Sequence, residues 1–226
     1  SFHFMKLGCF SQIENAFLKG ITTFPFNNQE YLLTGDRKGF IYLLINNSDG
    51  QLVQQRTFRG HTSGVSSICY VETWKGEPII ITGSLDHFAH FWKPADLLNN
   101  DQDIHPINSI QFNENICCIK ELAKGELCFI TWDNTTTIIF ENDKPNILLK
   151  HGKLASWDLI KINGCYISAD ASGSIRIFNS TDGNLINEIN QVDTAPLRGI
   201  FQYKESIFVS SNSGHIIKLS INGKNL

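Results

Sequence analysis

Five stretches of this 226-residue sequence share one form. YLLTGDRKGFIYLL, PIIITGSLDHFAHFW, LCFITWDNTTTII, YISADASGSIRIF and IFVSSNSGHIIKL each pass from an apolar segment, through small and polar residues, into a second apolar segment. Short runs rich in Ile, Val, Phe, Tyr and Thr, broken by Gly, Asn, Asp and Ser, favour strands joined by tight turns, so each stretch is a hairpin. The second segments close on Leu44, Trp92, Ile139, Phe178 and Leu219, at intervals of 39 to 48 residues. A further apolar segment precedes the hairpins (FLKGITTF, GVSSICYV, NICCIKEL, SWDLIKI, PLRGIFQY), and a weaker one follows most of them (QLVQQRTF, NSIQF, NILLK, LINEI). The repeating unit is therefore a small four-stranded antiparallel sheet.

Such a sheet has two apolar faces and cannot bury both alone. Neighbouring units must cover them, and a regular interval lets the units fan around a common axis. The expected fold class is all-β, a β-propeller with five four-stranded blades visible, either a closed five-bladed ring or part of a seven-bladed one. The whole chain, 1–226, reads as a single domain. FHFMKLGCF, ahead of the first inner strand, suits the outermost strand of the last blade.

Blade two carries the fullest set of polar markers: RGH ending at His61, TG containing Thr82, SLD ending at Asp86, and closure on Trp92. In this the chain resembles the WD40 family. The resemblance implies that Asp86 accepts a hydrogen bond from His61, which meets Thr82, which meets the Trp92 indole, a structural network pinning a turn to a loop. His87 and His90 then sit in turn and strand as scaffold, not as metal ligands. At the position of Asp86 the other hairpins have Lys38, Asp133, Ser172 and Ser213, so the complete set occurs once; His151 stands near a second Gly-His position. Across blades two to four, TWDNT followed by a short connection and the Trp157-Asp158 pair is similar to the propeller of the phospholipase A2-activating protein, or ubiquitin-fusion-degradation adaptor, family. That resemblance implies a ubiquitin-binding propeller, normally of seven blades.

The net charge of −3 and the scattered basic residues give no footprint for nucleic acid, and no apolar run approaches the ~18 residues of a membrane helix. Six cysteines (Cys9, Cys69, Cys117, Cys118, Cys128 and Cys165) lie mostly in apolar runs and form no C-x-x-C pair. They read as buried thiols, which favours the cytoplasm or nucleus. There is no G-x-S-x-G turn and no phosphate-binding loop, so neither enzyme nor cofactor is expected. The alternatives are a scaffold subunit of a larger complex and a propeller hydrolase; the latter would want acids on strand ends facing the axis, whereas Asp36, Asp86, Asp133 and Asp170 all read as turn residues.

A protein-binding surface remains. In the WD40 register the residue before each turn marker faces one end of the ring: Arg37, Leu85, Trp132, Ala171 and Asn212. The starts of the inner strands, Lys19, Ser66, Trp157 and Arg198, are expected at the same end. Trp and Arg are the residue types enriched at binding hot spots. Trp92 is expected in the core, and Trp74, in ETWKGEP, at the opposite end or side.

Overall fold

The computed structural model describes residues 18–99, 103–142, 144–152 and 154–220, and only the backbone at 18, 19 and 220. Blade one comprises β1 (Leu18–Phe26), β2 (Gln29–Asp36), β3 (Phe40–Asn46) and β4 (Leu52–Arg59). Blade two is built from β5 (Val65–Trp74), β6 (Glu77–Ser84), β7 (Phe88–Trp92) and β8 (Asn108–Gln111), with a one-turn helix, α1 (Pro94–Leu98), ahead of its last strand. Blade three holds β9 (Ile116–Ala123), β10 (Glu126–Thr131), β11 (Thr135–Phe140) and β12 (Ile147–Lys150). Blade four holds β13 (Ser156–Ile162), β14 (Cys165–Asp170), β15 (Ile175–Asn179) and β16 (Leu185–Ile189). Blade five has three strands among the described residues, β17 (Leu197–Tyr203), β18 (Ser206–Ser211) and β19 (Ile216–Ser220). The segment expected as its fourth strand, FHFMKLGCF, lies outside the described residues.

Within each blade successive strands pair antiparallel in sequence order. Burial falls from the middle of a blade to its rim: every residue of β10 and β14 is buried, whereas β16 is almost wholly exposed. A central strand has a blade on each face and so carries an unbroken apolar run, which is why CYISAD and ELCFIT lack polar alternation.

The cores lie between blades. Phe24, Leu33, Ile41 and Leu43 of blade one meet Val65, Ile68, Ile80 and Trp92 of blade two, joined by Leu97 of α1. Blades two and three share Ile81, Phe91, Ile116 and Phe129; blades three and four share Ile130, Leu149, Leu159 and Phe178; blades four and five share Ile167, Ile177, Leu197 and Val209. Among the described residues no such core joins blade five to blade one. The contacts are close: a methyl group on Gly35 would stand 2.5 Å from Val65, and one on Gly83 would stand 2.7 Å from Ile116 and Ile119. At these two positions there is no room for a side chain where the second strands of blades one and two pass the next blade's inner strand, whereas Ile130 fills the same register in blade three. Polar ties reinforce this packing, since Ser67 Oγ accepts Ile119 N–H across blades two and three, and Asp158 Oδ2 accepts Ile200 N–H across blades four and five, both within 3.0 Å.

Cys128 and Cys165 are buried, while Cys69, Cys117 and Cys118 are half-buried. Burial pushes the Cys69 thiol up to about 11 and that of Cys118 to about 12, so both stay protonated at neutral pH.

Candidate functional site

The polar residues of the hairpin tips divide into those that hold the scaffold and those that face solvent. In blade two His61 Nδ1 stands 3.0 Å from Asp86 Oδ2, and Nε2 stands 2.8 Å from Thr82 Oγ1. The Trp92 indole N–H donates to the same Thr82 oxygen at 2.9 Å. A carboxylate only accepts, so His61 carries its proton on Nδ1; Thr82 then accepts from Trp92 and donates to His61 Nε2. One directional chain runs from Trp92 to Asp86. Asp86 also accepts the backbone N–H groups of Thr62 and Phe88. Burial alone would raise the Asp86 carboxyl, but the His61 bond and these amides hold it well below the usual carboxylate range.

His87 and His90 do not converge with other ligands: among the described residues no group of three His, Cys, Asp or Glu side chains could hold a metal ion. His90 instead stacks on His61 with ring centroids 4.4 Å apart and meets Ser109 Oγ at 2.8 Å. Its burial, and then the neighbouring His61, lower its pKa to about 4.

The tips lacking the Asp86 equivalent are not bare. In blades one and four the carboxylate sits two residues earlier, at the end of the second strand. Asp36 Oδ1 accepts the N–H groups of Lys38 and Phe40, and its other oxygen accepts the Tyr42 hydroxyl. Asp170 Oδ1 accepts the N–H groups of Ser172 and Ser174 and the Ser172 hydroxyl, while its other oxygen pairs with Arg176. Tyr42 and Arg176 each stand six residues after their Asp, so the same register position supplies the side-chain donor. Blade three keeps an Asp at the Asp86 position, Asp133, which takes the Thr131 and Thr135 hydroxyls, and in blade five Ser213 bonds to Asp193 and Ser211. The reading of Asp36 and Asp170 as turn residues is thereby corrected to buried strand ends whose oxygens are occupied.

His151 repeats the blade-two theme two interfaces later. It is fully buried, 2.7 Å from Thr136 Oγ1 of blade three and 3.1 Å from Ser168 Oγ of blade four, with its ring edge-on to Phe178. Ser168 occupies the register of Thr82 and Phe178 that of Trp92. Burial, with Arg176 nearby, lowers the His151 pKa to about 3, so it is neutral in the fold.

The hairpin tips and the loops that lead into the inner strands form one end of the molecule, fixed by a repeated bond. The N–H groups of Leu85, Trp132, Ala171 and Asn212 donate to the carbonyls of Gly64, Asn115, Ala155 and Pro196, in each case joining a blade's tip to its own loop. The next residues enter the inner strands, and there a bulge recurs. The pairing register slips between Val65 and Ser67, Ser156 and Asp158, and Leu197 and Gly199, leaving Ser66, Trp157 and Arg198 as the bulged residues. The slip in blade three leaves Cys117 in the same role. A bulge lifts one side chain out of the alternating pattern and re-aims it; of the four, Arg198 is exposed, Trp157 and Cys117 are half-buried and Ser66 is buried.

The expected surface residues fare differently. Trp132 is 49% exposed, and Arg37, Arg198 and Asn212 are exposed. Leu85 and Ala171 are half-buried. The Lys19 side chain lies outside the described residues. Ser66 is a correction: it is 8% exposed and the single proton of its hydroxyl is shared between the carbonyls of Gly83 and Ile116, so its short side chain bridges two blades and is not offered to a partner. Cys117 was missed, although aligning NICCIKEL with GVSSICYV places it opposite Ser66.

Trp157 and Arg198 come together across blades four and five. The guanidinium carbon lies 4.4 Å from the centroid of the Trp157 ring, and Arg198 Nε–H donates to Asn212 Oδ1 at 2.9 Å. Trp157 is half-buried, and its indole nitrogen is fully buried with no acceptor among the described residues. Trp74 belongs elsewhere: it is half-buried at the hairpin between β5 and β6, in the wall of a groove of about 380 Å³ with Ile79, Phe91, Ile107 and Phe140.

No protein-family profile matches this sequence, and no curated protein matches it in sequence. Solved structures do match in fold. The WD40 β-propeller domain of Doa1 superposes with a TM-score of 0.73 at 16% identity, covering 94% of this chain and 68% of that one. The β-propeller domain of Myceliophteria thermophila Cps50 (Swd1) gives 0.63 at 9% identity, covering 90% of this chain and 69% of that one. The computationally designed Ika4 protein gives 0.58 at 12% identity over 73% of this chain and 96% of its own. At these identities the likeness establishes the fold, a WD40-type β-propeller.

Proposed function

We propose that this WD40-type propeller is a non-catalytic protein-binding module, and that ubiquitin or a ubiquitinated protein is the partner it captures on the end formed by the hairpin tips, as an adaptor in ubiquitin-dependent degradation. The observation that carries the reading is the half-exposed Trp132, at the blade-three tip beside blade four, whose Trp157 pairs with Arg198 of blade five. Large, rigid aromatic and cationic groups on a preformed surface lose little freedom on docking. The resemblance of TWDNT and Trp157-Asp158 to the ubiquitin-fusion-degradation adaptors supports the choice of partner, and the fold likeness to WD40 propellers supports the coarser reading of a protein-binding module.

The test is capture of the chain on immobilised ubiquitin beside a panel of unrelated peptides. Trp132→Ala and Trp157→Ala are each expected to weaken capture about tenfold or more, the scale of a hot-spot residue, with the melting temperature nearly unchanged for Trp132→Ala. Undiminished capture by both variants, or no preference for ubiquitin over the panel, would refute the assignment. A scaffold role in a larger complex draws on a different observation: the outer face of blade five exposes Phe201, Tyr203 and Ile216.

A further inference from the structure

An exposed arginine ordinarily samples many rotamers in water. Arg198 is held on two sides. Its guanidinium lies on the Trp157 ring, and its Nε–H is committed to Asn212 Oδ1 at 2.9 Å. Stacking fixes the plane of the group, and the Nε bond fixes which edge faces the protein. The opposite edge, with the two terminal nitrogens, therefore has a set direction.

The three residues come from three positions of the repeat: the bulge of β13, the bulge of β17 and the tip of blade five. They meet only because the blades are adjacent. Among the described residues Arg198 makes no ion pair. The acid of the loop ahead of β17, Asp193, is occupied by Ala195 N–H, Ser213 and His215.

We infer that the outward edge of Arg198, backed by Trp157, is a receptor for the carboxylate of an Asp or Glu side chain on the protein partner. A guanidinium fork matches a carboxylate through two parallel N–H···O bonds, and the indole face beneath it keeps water from one side of the pair. One guanidinium balances one monoanion. Because Arg198 is exposed at an open end, a partner chain can continue to either side of the bound group, which suits an acidic side chain more than a chain terminus. The inference rests on this end being the protein-binding face, but not on the partner being ubiquitin.

The test uses the isotope-labelled full chain and three capped probes: Ac-Gly-Glu-Glu-Gly-NH2, Ac-Gly-Gln-Gln-Gly-NH2 and Ac-Gly-Gly with a free carboxyl end. The Trp157 indole N–H and Arg198 Nε–H resonances are expected to shift saturably with the Glu probe, and about tenfold more weakly with the other two, a difference of about 1.4 kcal/mol. Arg198→Lys retains the charge without the fork and is expected to weaken the Glu probe several-fold, with an unchanged melting temperature showing that it folds. Equal responses to the Glu and Gln probes, tighter binding of the free chain end, no response at all, or full binding by Arg198→Lys would each overturn the inference. Ubiquitin capture can fail while the Glu probe still binds, so the two readings are separable.

Discussion

Asp170→Ala is expected to lower the unfolding free energy by about 3–5 kcal/mol, the cost of removing one partner from a buried ion pair. Asp170 is fully buried, and its two oxygens serve the blade-four turn and Arg176. Without it, two turn amides and a hydroxyl lose their acceptor, and Arg176 keeps only Glu188, 2.7 Å away. Ser172→Ala removes the residue that stands where blade two has Asp86, and should cost only about 1 kcal/mol, one ordinary hydrogen bond. Urea unfolding of both variants separates the two positions. Equal, small losses would mean that the shifted carboxylate is not what holds this tip.

The second large effect is acid lability. His151 is neutral in the folded protein, with its pKa lowered to about 3, and titrates near its ordinary value once unfolded. As pH falls below about 6.5 the unfolded chain takes up a proton that the folded chain refuses, so stability is full above that pH and declines until the folded pKa is reached. The loss reaches about 2 kcal/mol at about pH 5 for this group alone. Arg176 faces His151 and opposes its protonation further. His90, lowered to about 4, adds a smaller term of the same sign because it is only half-buried. Below about pH 4 protonation of Asp86, whose folded carboxyl is held low, adds to the decline. Urea midpoints at neutral pH and at about pH 5 should differ accordingly, and His151→Gln should shrink the difference. Identical midpoints in the parent protein would contradict the buried, neutral state of His151.

The strands were legible because their signal is local. Each hairpin declares itself by an apolar run on either side of a polar turn, and the near-constant interval makes blades of them; the pairing of β2 with β3, β6 with β7 and β14 with β15 follows. The tip chemistry was legible only where it used the familiar position. Aligning the turns on Asp86 hid Asp36 and Asp170, although an Asp two residues earlier with Tyr or Arg six residues on is itself a readable signal. Interblade bonds were out of reach: Ser66 to Ile116, and Asp158 to Ile200, join residues tens of positions apart and depend on how closely two blades approach. The helix α1 escaped notice because five residues are too few to show a period; Leu97, with Leu98 beside it, packs against the core shared by blades one and two, and Pro94 is also buried.

The most direct test of a binding face at the tip end is a titration of the labelled chain with ubiquitin, read at the four tryptophan indole N–H resonances. Trp132 and Trp157 stand at the tip end, Trp92 in the core between blades one and two, and Trp74 at the β5–β6 hairpin. Saturable shifts of the Trp132 and Trp157 signals are expected, with Trp74 and Trp92 unmoved. Shifts centred on Trp74, or four stationary signals, would contradict a binding face at the tip end.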